Sequence, residues 1–333
     1  MKRIAINGFG RIGRSFLRAY LMDKEAQNSI EISAINVGPA NKEWIAHLFK
    51  YDSFMGTWLD KVLYEDGFLY IGNHKISVFN IIDPQELHWN ELDIDWVVDA
   101  SGKFVQRQEA EKHIQSGAKK VLITAFAQDP DVTIVVGVND NTYDKSAHKI
   151  VSLASCTANA FYPMVKVLHE AFDTQSFIMN TIHSYTNRQV LMDVESVNLR
   201  RSRSAVTNII PTTLQASYRI REVYPNFTGS IAGQSTRVPV GKVSLLDVAF
   251  ATEIVVKVDD INAAFQKVAQ SRMKGVVAVS NQDLVSSDYI NNPYSVTIDE
   301  SLTSMSGTLA KVFGWYDNEA GYAHRIKDFL VMY

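Results

Sequence analysis

The chain of 333 residues is long enough for two domains sharing an interface. Its 46% hydrophobic and 21% charged residues fit a globular protein, and it holds no apolar run of the roughly 18–20 residues that a membrane-spanning helix needs. A formal net charge of −3 argues against nucleic acid as the main ligand, because a polyanion would meet no overall attraction.

In chain order, residues 2–7 read as a short β-branched strand, residues 11–23 as a helix and residues 31–37 as a second strand. Trp96-Val97-Val98-Asp99-Ala100 is a continuous strand of the kind buried on both faces of a parallel sheet. A helix over 106–115 follows, with Gly117 placed to stop it, and then strands over 120–124, 133–138 and 150–153. Strands alternating with helices predict a parallel sheet with right-handed crossovers. Beyond it, residues 158–172 read as a helix with Pro163 early enough to be tolerated. Longer strands over 176–183, 229–237 and 242–252 and a helix over 259–273 predict an α+β second domain on an antiparallel or mixed sheet. The tail, 319–333, is amphipathic and helical.

Gly8-Phe9-Gly10-Arg11-Ile12-Gly13 is a G-x-G-x-x-G set between a predicted strand and a predicted helix. The first glycine permits the tight turn, the second lets a pyrophosphate approach the backbone, and the third lets helix and strand close together. The helix N-terminus offers free amides to the phosphates, so the loop predicts dinucleotide binding. The single cysteine, Cys156, excludes an intrachain disulfide and a multi-thiolate metal centre, and no metal is expected. It is either a small buried hydrophobe or a nucleophile. A helix beginning just beyond it and His183 downstream favour the nucleophile, since a helix N-terminus and an imidazolium both stabilise a thiolate. One cysteine, and a chain that enters a strand directly, point to the cytoplasm. The basic run Arg200-Arg201-Ser202-Arg203 reads as charge pairing at a subunit interface in preference to a phosphate site.

The motifs Asn7–Arg14, Ser155-Cys156-Thr157, His183-Ser184-Tyr185-Thr186, Arg237-Val238-Pro239 and Trp315-Tyr316-Asp317-Asn318-Glu319 stand together in order. In them the chain resembles the phosphorylating glyceraldehyde-3-phosphate dehydrogenase family, with erythrose-4-phosphate dehydrogenase as the close alternative. The resemblance implies an N-terminal Rossmann domain over 1–155 and 319–333, a catalytic domain over 156–318, and a homotetramer. It implies Cys156 as nucleophile and His183 as base. It assigns the cofactor to the Gly8–Gly13 loop, Asn36, Val37 and Ser101, with Asn318 on the nicotinamide carboxamide and Tyr322 packed against the ring. Ser101 reads nearly as well as a plain turn serine. Ser155, Thr157, Thr186 and Arg237 then take the phosphorylated aldose and inorganic phosphate. An arginine suits phosphate because its planar fork makes two charge-assisted bonds.

Departures from the family pattern leave three questions open. Val37 stands where NAD-specific members carry an acid, while Glu195 lies in a loop that approaches a neighbouring subunit's ribose by resemblance. The cofactor is therefore NAD or NADP, with NAD favoured. Leu214 and Gln215 replace a hydroxyl and a glycine near the attacking-phosphate site, so phosphate or water is the acyl acceptor. Arg188 replaces the usual Asp or Thr, and Ala160 replaces a second cysteine. Glyceraldehyde 3-phosphate is favoured over erythrose 4-phosphate. A catalytically weakened nucleotide-binding relative is the reading from another class.

Overall fold

Strand β1 (Lys2–Asn7) buries Ile4, Ala5 and Ile6 completely and runs through the first of two sheets. The computed structural model describes residues 1–333. The chain continues through α1 (Arg11–Leu21), α2 (Lys24–Ser29), β2 (Ile30–Asn36), α3 (Ile45–Lys50) and the meander β3 (Val62–Glu65), β4 (Phe68–Ile71) and β5 (His74–Phe79). Then come β6 (Trp96–Asp99), α4 (Arg107–Gln115), β7 (Lys120–Ile123), β8 (Val132–Thr133) and β9 (Ile150–Ser152). These nine strands lie in the order β3-β4-β5-β2-β1-β6-β7-β9-β8. All pairings from β5 to β8 are parallel, as the strand–helix alternation predicts. The antiparallel edge β3–β5 was not anticipated. Its signal was present: Asp66 and Gly67 both have positive φ, as a two-residue hairpin turn requires.

The side-chain period of two sorts the strands' apolar residues between the faces of this sheet. Ala5, Ala34, Trp89 and Val97 pack into one cluster. Trp96, pointing the other way, meets Phe329 edge-on at 5.7 Å. The strand expected over 133–138 is cut to Val132–Thr133. From there Val135 N bonds to Asn139 Oδ1 at 2.8 Å and Val138 N to Val135 O at 2.9 Å, so a side-chain-capped turn overrides the β-branched run.

A second unit follows with α5 (Cys156–Phe172), β10 (Ser176–Ser184), β11 (Ile210–Thr212), β12 (Ser230–Val238), β13 (Ser244–Ala251), α6 (Val258–Ala269), β14 (Val277–Ser280), β15 (Val296–Ser306) and β16 (Leu309–Tyr316), and the last helix, α7 (Ala320–Met332), belongs from residue 323 onward to the first unit. Its seven strands, ordered β11-β12-β10-β13-β16-β15-β14, form a mixed sheet, with β10–β12 and β14–β15 parallel and the rest antiparallel. Alternation along β10 buries Phe177, Met179, Thr181 and His183 on one face and leaves Ile178 on the other 69% exposed. Helix α5 runs through Pro163 and begins at Cys156, two residues earlier than expected.

The first compact unit comprises residues 1–134, 140–155 and 323–333; the second comprises 135–139 and 156–322. Within the first, Lys2 Nζ donates to Leu330 O at 2.7 Å and Lys327 pairs with Asp23, which ties down the chain's last turns. No helix is long and apolar enough to cross a membrane.

Candidate active site

In the first unit, the loop after β1 has the geometry of a phosphate cradle. Gly8 has φ +93°, and a Cβ there would lie 2.5 Å from the backbone nitrogen of Ser101. A Cβ on Gly13 would lie 2.3 Å from Gly8 O. Gly10, the N-cap of α1, would meet nothing within 4 Å, so its backbone is open to an approaching anion. An eleven-residue helix with no acid in its first turn starts there, and the residues present fit a dinucleotide's phosphates.

Phe9, Arg11 and Ile12 are half-buried in the same loop. Phe9 stacks on Phe49 with ring centroids 6.3 Å apart, and Arg11 pairs with Asp52. Burial pushes the Asp52 carboxyl up, but the Met55 amide, Arg11 and the Phe54 amide together outweigh it and hold it at about 2.

A buried polar chain runs along the ends of β6, β1 and β2. Asp99 Oδ1 accepts from Ser101 N at 3.0 Å and Ser101 Oγ at 2.7 Å, while its Oδ2 accepts from Asn7 Nδ2 at 2.8 Å and faces His113 Nε2 at 3.2 Å. Asn36 Nδ2 donates to Asn7 Oδ1 and Ile81 O, and its Oδ1 accepts from Gly38 N and Ile81 N. The side chain of Asn36 is thus committed to the protein and shapes the loop that follows β2. Val37 is buried at the head of that loop, its amide on Phe79 O. The Ser101 hydroxyl, likewise engaged, has the geometry of a turn residue.

In the second unit, Cys156 is the first residue of the seventeen-residue α5. Its Sγ lies 4.0 Å from His183 Nε2. His183 Nδ1 lies 2.7 Å from Ser184 O, and since a carbonyl only accepts, Nδ1 carries the proton and Nε2 is left as the acceptor facing the sulfur. The expected imidazolium is not what this environment holds. Burial, with Arg237 adding repulsion, lowers His183 to about 3. Although part of the Cys156 residue is exposed, burial pushes its thiol up, against the pull of Arg237 and hydrogen bonds from Thr157 and the first backbone amides. The resting pair is a thiol beside a neutral imidazole, which is the protonation state a general base requires.

Strand register builds the rest. His183 and Arg237 are paired positions of the parallel strands β10 and β12. Arg237 Nη1 shares Ser184 O at 3.1 Å, while its Nε is buried without a partner. Burial also holds the guanidinium below its usual range, opposed by Tyr316 and Cys156, with Arg201 and Arg188 adding like charge. Thr157 Oγ1 lies 3.0 Å and Thr181 Oγ1 2.7 Å from Tyr316 Oη, whose ring stands edge-on to His183. Thr186 N and Oγ1 both donate to Gln189 Oε1. Ser155 immediately precedes the cysteine.

Asn318 and Tyr322 are buried in this unit, with the Tyr322 phenol pushed far up by burial and then by Cys156. Asp317 Oδ1 accepts from the amides of Glu319 and Ala320, and Lys242 Nζ reaches Asp317 Oδ2 at 3.1 Å. Removing one partner of such a buried pair costs about 3–5 kcal/mol. Between Lys242 and Ser244, the buried Val243 has φ +71°, a conformation a β-branched residue holds only when its neighbours are fixed.

Ser184, Tyr316, Lys242 and Asp317 were assigned no role from sequence, although Ser184, Tyr316 and Asp317 lie inside the motifs that suggested the family. In the basic run, Arg203 pairs with Asp193 at 2.6 Å and Arg201 Nη2 donates to Thr212 Oγ1 at 2.9 Å. Leu214 precedes a short 3-10 turn, Gln215–Ser217, that exposes Gln215. Arg188 and Glu195 are exposed.

Comparison with known proteins agrees with this geometry. Residues 2–107 match the NAD binding domain, and residues 155–318 the C-terminal domain, of the family described as glyceraldehyde 3-phosphate dehydrogenase. The chain is 43% identical to glyceraldehyde-3-phosphate dehydrogenase 2 of Streptomyces avermitilis, over 99% of this chain and 97% of that protein. It is 43% identical to the Geobacillus stearothermophilus glyceraldehyde-3-phosphate dehydrogenase over 98% and 96%. It is 42% identical to glyceraldehyde-3-phosphate dehydrogenase 2 of Bacillus subtilis over 98% and 95%. With a dinucleotide cradle in one unit and a thiol–imidazole pair beside a buried arginine in the other, the chain belongs to the glyceraldehyde-3-phosphate dehydrogenase family.

Proposed function

We propose that this protein oxidises glyceraldehyde 3-phosphate with NAD through a thioester on Cys156. The observation that carries the reading is Cys156 at the start of α5 with the acceptor nitrogen of a neutral His183 facing its sulfur. His183 Nε2 takes the thiol proton as sulfur adds to the aldehyde carbon, and the first amides of α5 stabilise the developing anion. The resulting imidazolium returns that proton to the alkoxide, giving the hemithioacetal, and Nε2 then takes the hydroxyl proton back as the C–H bond breaks, leaving the acyl group on sulfur. When bound, NAD supplies the acceptor for that hydride. The buried, unpartnered Arg237 Nε is a donor suited to the substrate's phosphate, with Thr186 beside it in the family pattern. The Gly8–Gly13 loop takes the dinucleotide's phosphates, and Asn318 and Tyr322 take its nicotinamide.

Leu214 and Gln215 favour a second reading of the last step. A leucine donates nothing and an exposed glutamine side chain hinders close approach to the backbone, so phosphate binds weakly and water competes for the thioester. That is the chemistry of erythrose-4-phosphate dehydrogenases. Steady turnover of both aldoses, with and without phosphate, tests the two readings. Tight phosphate saturation with glyceraldehyde 3-phosphate, and negligible turnover without phosphate, gives the phosphorylating enzyme. Faster turnover of erythrose 4-phosphate, with only weak phosphate dependence, gives the hydrolytic one. Exposed apolar residues Leu191, Met192, Val197 and Leu199 support assembly as a homotetramer, which sedimentation measures directly. A lone functional thiol suits a reducing cytoplasm.

A further inference from the structure

We propose that Ser184 is a positioning residue that anchors the Asn318 carboxamide by its oxygen and leaves the donor end of that amide for the nicotinamide. The inference rests on the reading in which Asn318 meets the cofactor's carboxamide. Ser184 is completely buried at the end of β10. Its backbone is fully used: the amide donates to Ser244 Oγ at 3.1 Å, and the carbonyl accepts from both His183 and Arg237. The hydroxyl remains, and it donates to Asn318 Oδ1 at 2.9 Å.

The neighbouring backbone is pinned independently. Asp317 receives the amides of Glu319, Ala320 and Asn291 on its two oxygens and the ammonium of Lys242 on one of them. The freedom left to Asn318 is rotation of its side chain, in which oxygen and nitrogen exchange places at little steric cost. The Ser184 hydroxyl could donate to the oxygen or accept from the nitrogen; here it donates to Oδ1 and anchors that end. With Oδ1 held by Ser184, the donor Nδ2 is the end left for a ligand, and it suits the carbonyl oxygen of a carboxamide. The reversed amide would offer that carbonyl only an acceptor.

The same serine's carbonyl fixes the tautomer of His183, so one residue orients the base through its main chain and the cofactor contact through its side chain. Substituting the hydroxyl separates the two, since Ser184→Ala leaves the carbonyl in place.

Calorimetric NAD dissociation constants and thermal midpoints of the parent, Ser184→Ala, Asn318→Ala and the double variant test the inference. Ser184→Ala is expected to weaken NAD binding by about three- to tenfold, the range of one hydrogen bond. In the Asn318→Ala background the same change should cost nothing further, a coupling that general loosening of the fold would not produce. Equal losses in both backgrounds, or no loss in the parent, overturn the proposal while leaving the role of Asn318 intact. If Asn318→Ala itself leaves NAD affinity unchanged, the reading of Asn318 fails and the inference goes with it. Should Ser184→Ala not fold, Asn318→Asp decides the matter. A carboxylate still satisfies Ser184 but has no donor end, so its NAD affinity should fall as far as that of Asn318→Ala. Parent-like affinity in Asn318→Asp would show that an acceptor faces the cofactor, and would overturn the proposal.

Discussion

The glycine loop of the first unit and the thiol site of the second are built by opposite means. The loop draws its main geometry from six consecutive residues, and its chemistry is main-chain: a positive φ at Gly8, open space at Gly10, and a helix whose amides start there. The thiol site draws Cys156, His183, Ser184, Arg237, Ser244, Tyr316 and Asn318 from more than half the length of its unit. Pairings such as His183 with Arg237 and Ser244 with Tyr316 are what bring its parts together. Substitutions in the loop should therefore act through backbone space, and substitutions in the thiol site through side-chain chemistry and proton placement.

The largest effect belongs to the nucleophile. Cys156→Ser should lower aldehyde oxidation by at least about a thousandfold, because an alcohol near neutral pH is a far poorer nucleophile than a thiol beside a base. NAD affinity, measured by calorimetry, should stay close to the parent's. Turnover within about tenfold of the parent would rule out the covalent route.

His183→Asn should reduce turnover by about a hundred- to ten-thousandfold, the usual contribution of a general base. It also alters acid stability. Its folded pKa of about 3 lies below the unfolded value of 6.5, so the unfolded chain binds the extra proton first. The neutral histidine's contribution is complete above about pH 6.5 and is lost as pH falls towards about 3. Denaturant midpoints at pH 7 and pH 5 should thus drop more in the parent than in His183→Asn. His324, lowered to about 4, contributes equally to both proteins and cancels in the difference.

Gly10→Ala and Gly8→Ala separate binding from folding in the first region. At Gly10 φ is −77° and a Cβ meets nothing, so the variant should melt near the parent while binding NAD at least about tenfold less tightly. At Gly8 the methyl would strike the backbone at Ser101, so the thermal midpoint itself should fall. Equal stability losses in the two variants would remove the distinction. Smallest is Val37→Asp, which adds an acceptor for ribose hydroxyls and a charge opposing a 2′-phosphate. It should shift the NAD-to-NADP affinity ratio by about tenfold towards NAD. An unchanged ratio would place the adenosine ribose away from residue 37.

How far each part was legible follows from the same contrast. Strand β1, the glycine loop and α1 were readable because a β-branched run, three sterically required glycines and a helical period lie side by side. The edge meander β3–β5 carries only a short local signal, the Asp66-Gly67 turn, and the strand expected over 133–138 yields to a turn capped by Asn139. Within the thiol site, chain order placed Cys156 and His183 in familiar motifs but gave no hint of their protonation. An imidazolium was expected; burial makes the imidazole neutral. The family pattern assigns Asn36 and Ser101 to the cofactor, and the structure adds that their side chains also hydrogen-bond within the protein.

By itself the sequence determined the class of fold, the glycine loop between β1 and α1 and the choice of Cys156 as candidate nucleophile, because backbone sterics, hydrophobic period and residue chemistry act over a few neighbouring positions. Tertiary structure alone decided that Ser184 would carry His183, Arg237 and Asn318, that Val243 would be held at positive φ between two anchors, and that the base would rest uncharged. Those outcomes depend on strand register and on how much water a site excludes, and neither quantity is a property of any short stretch of chain.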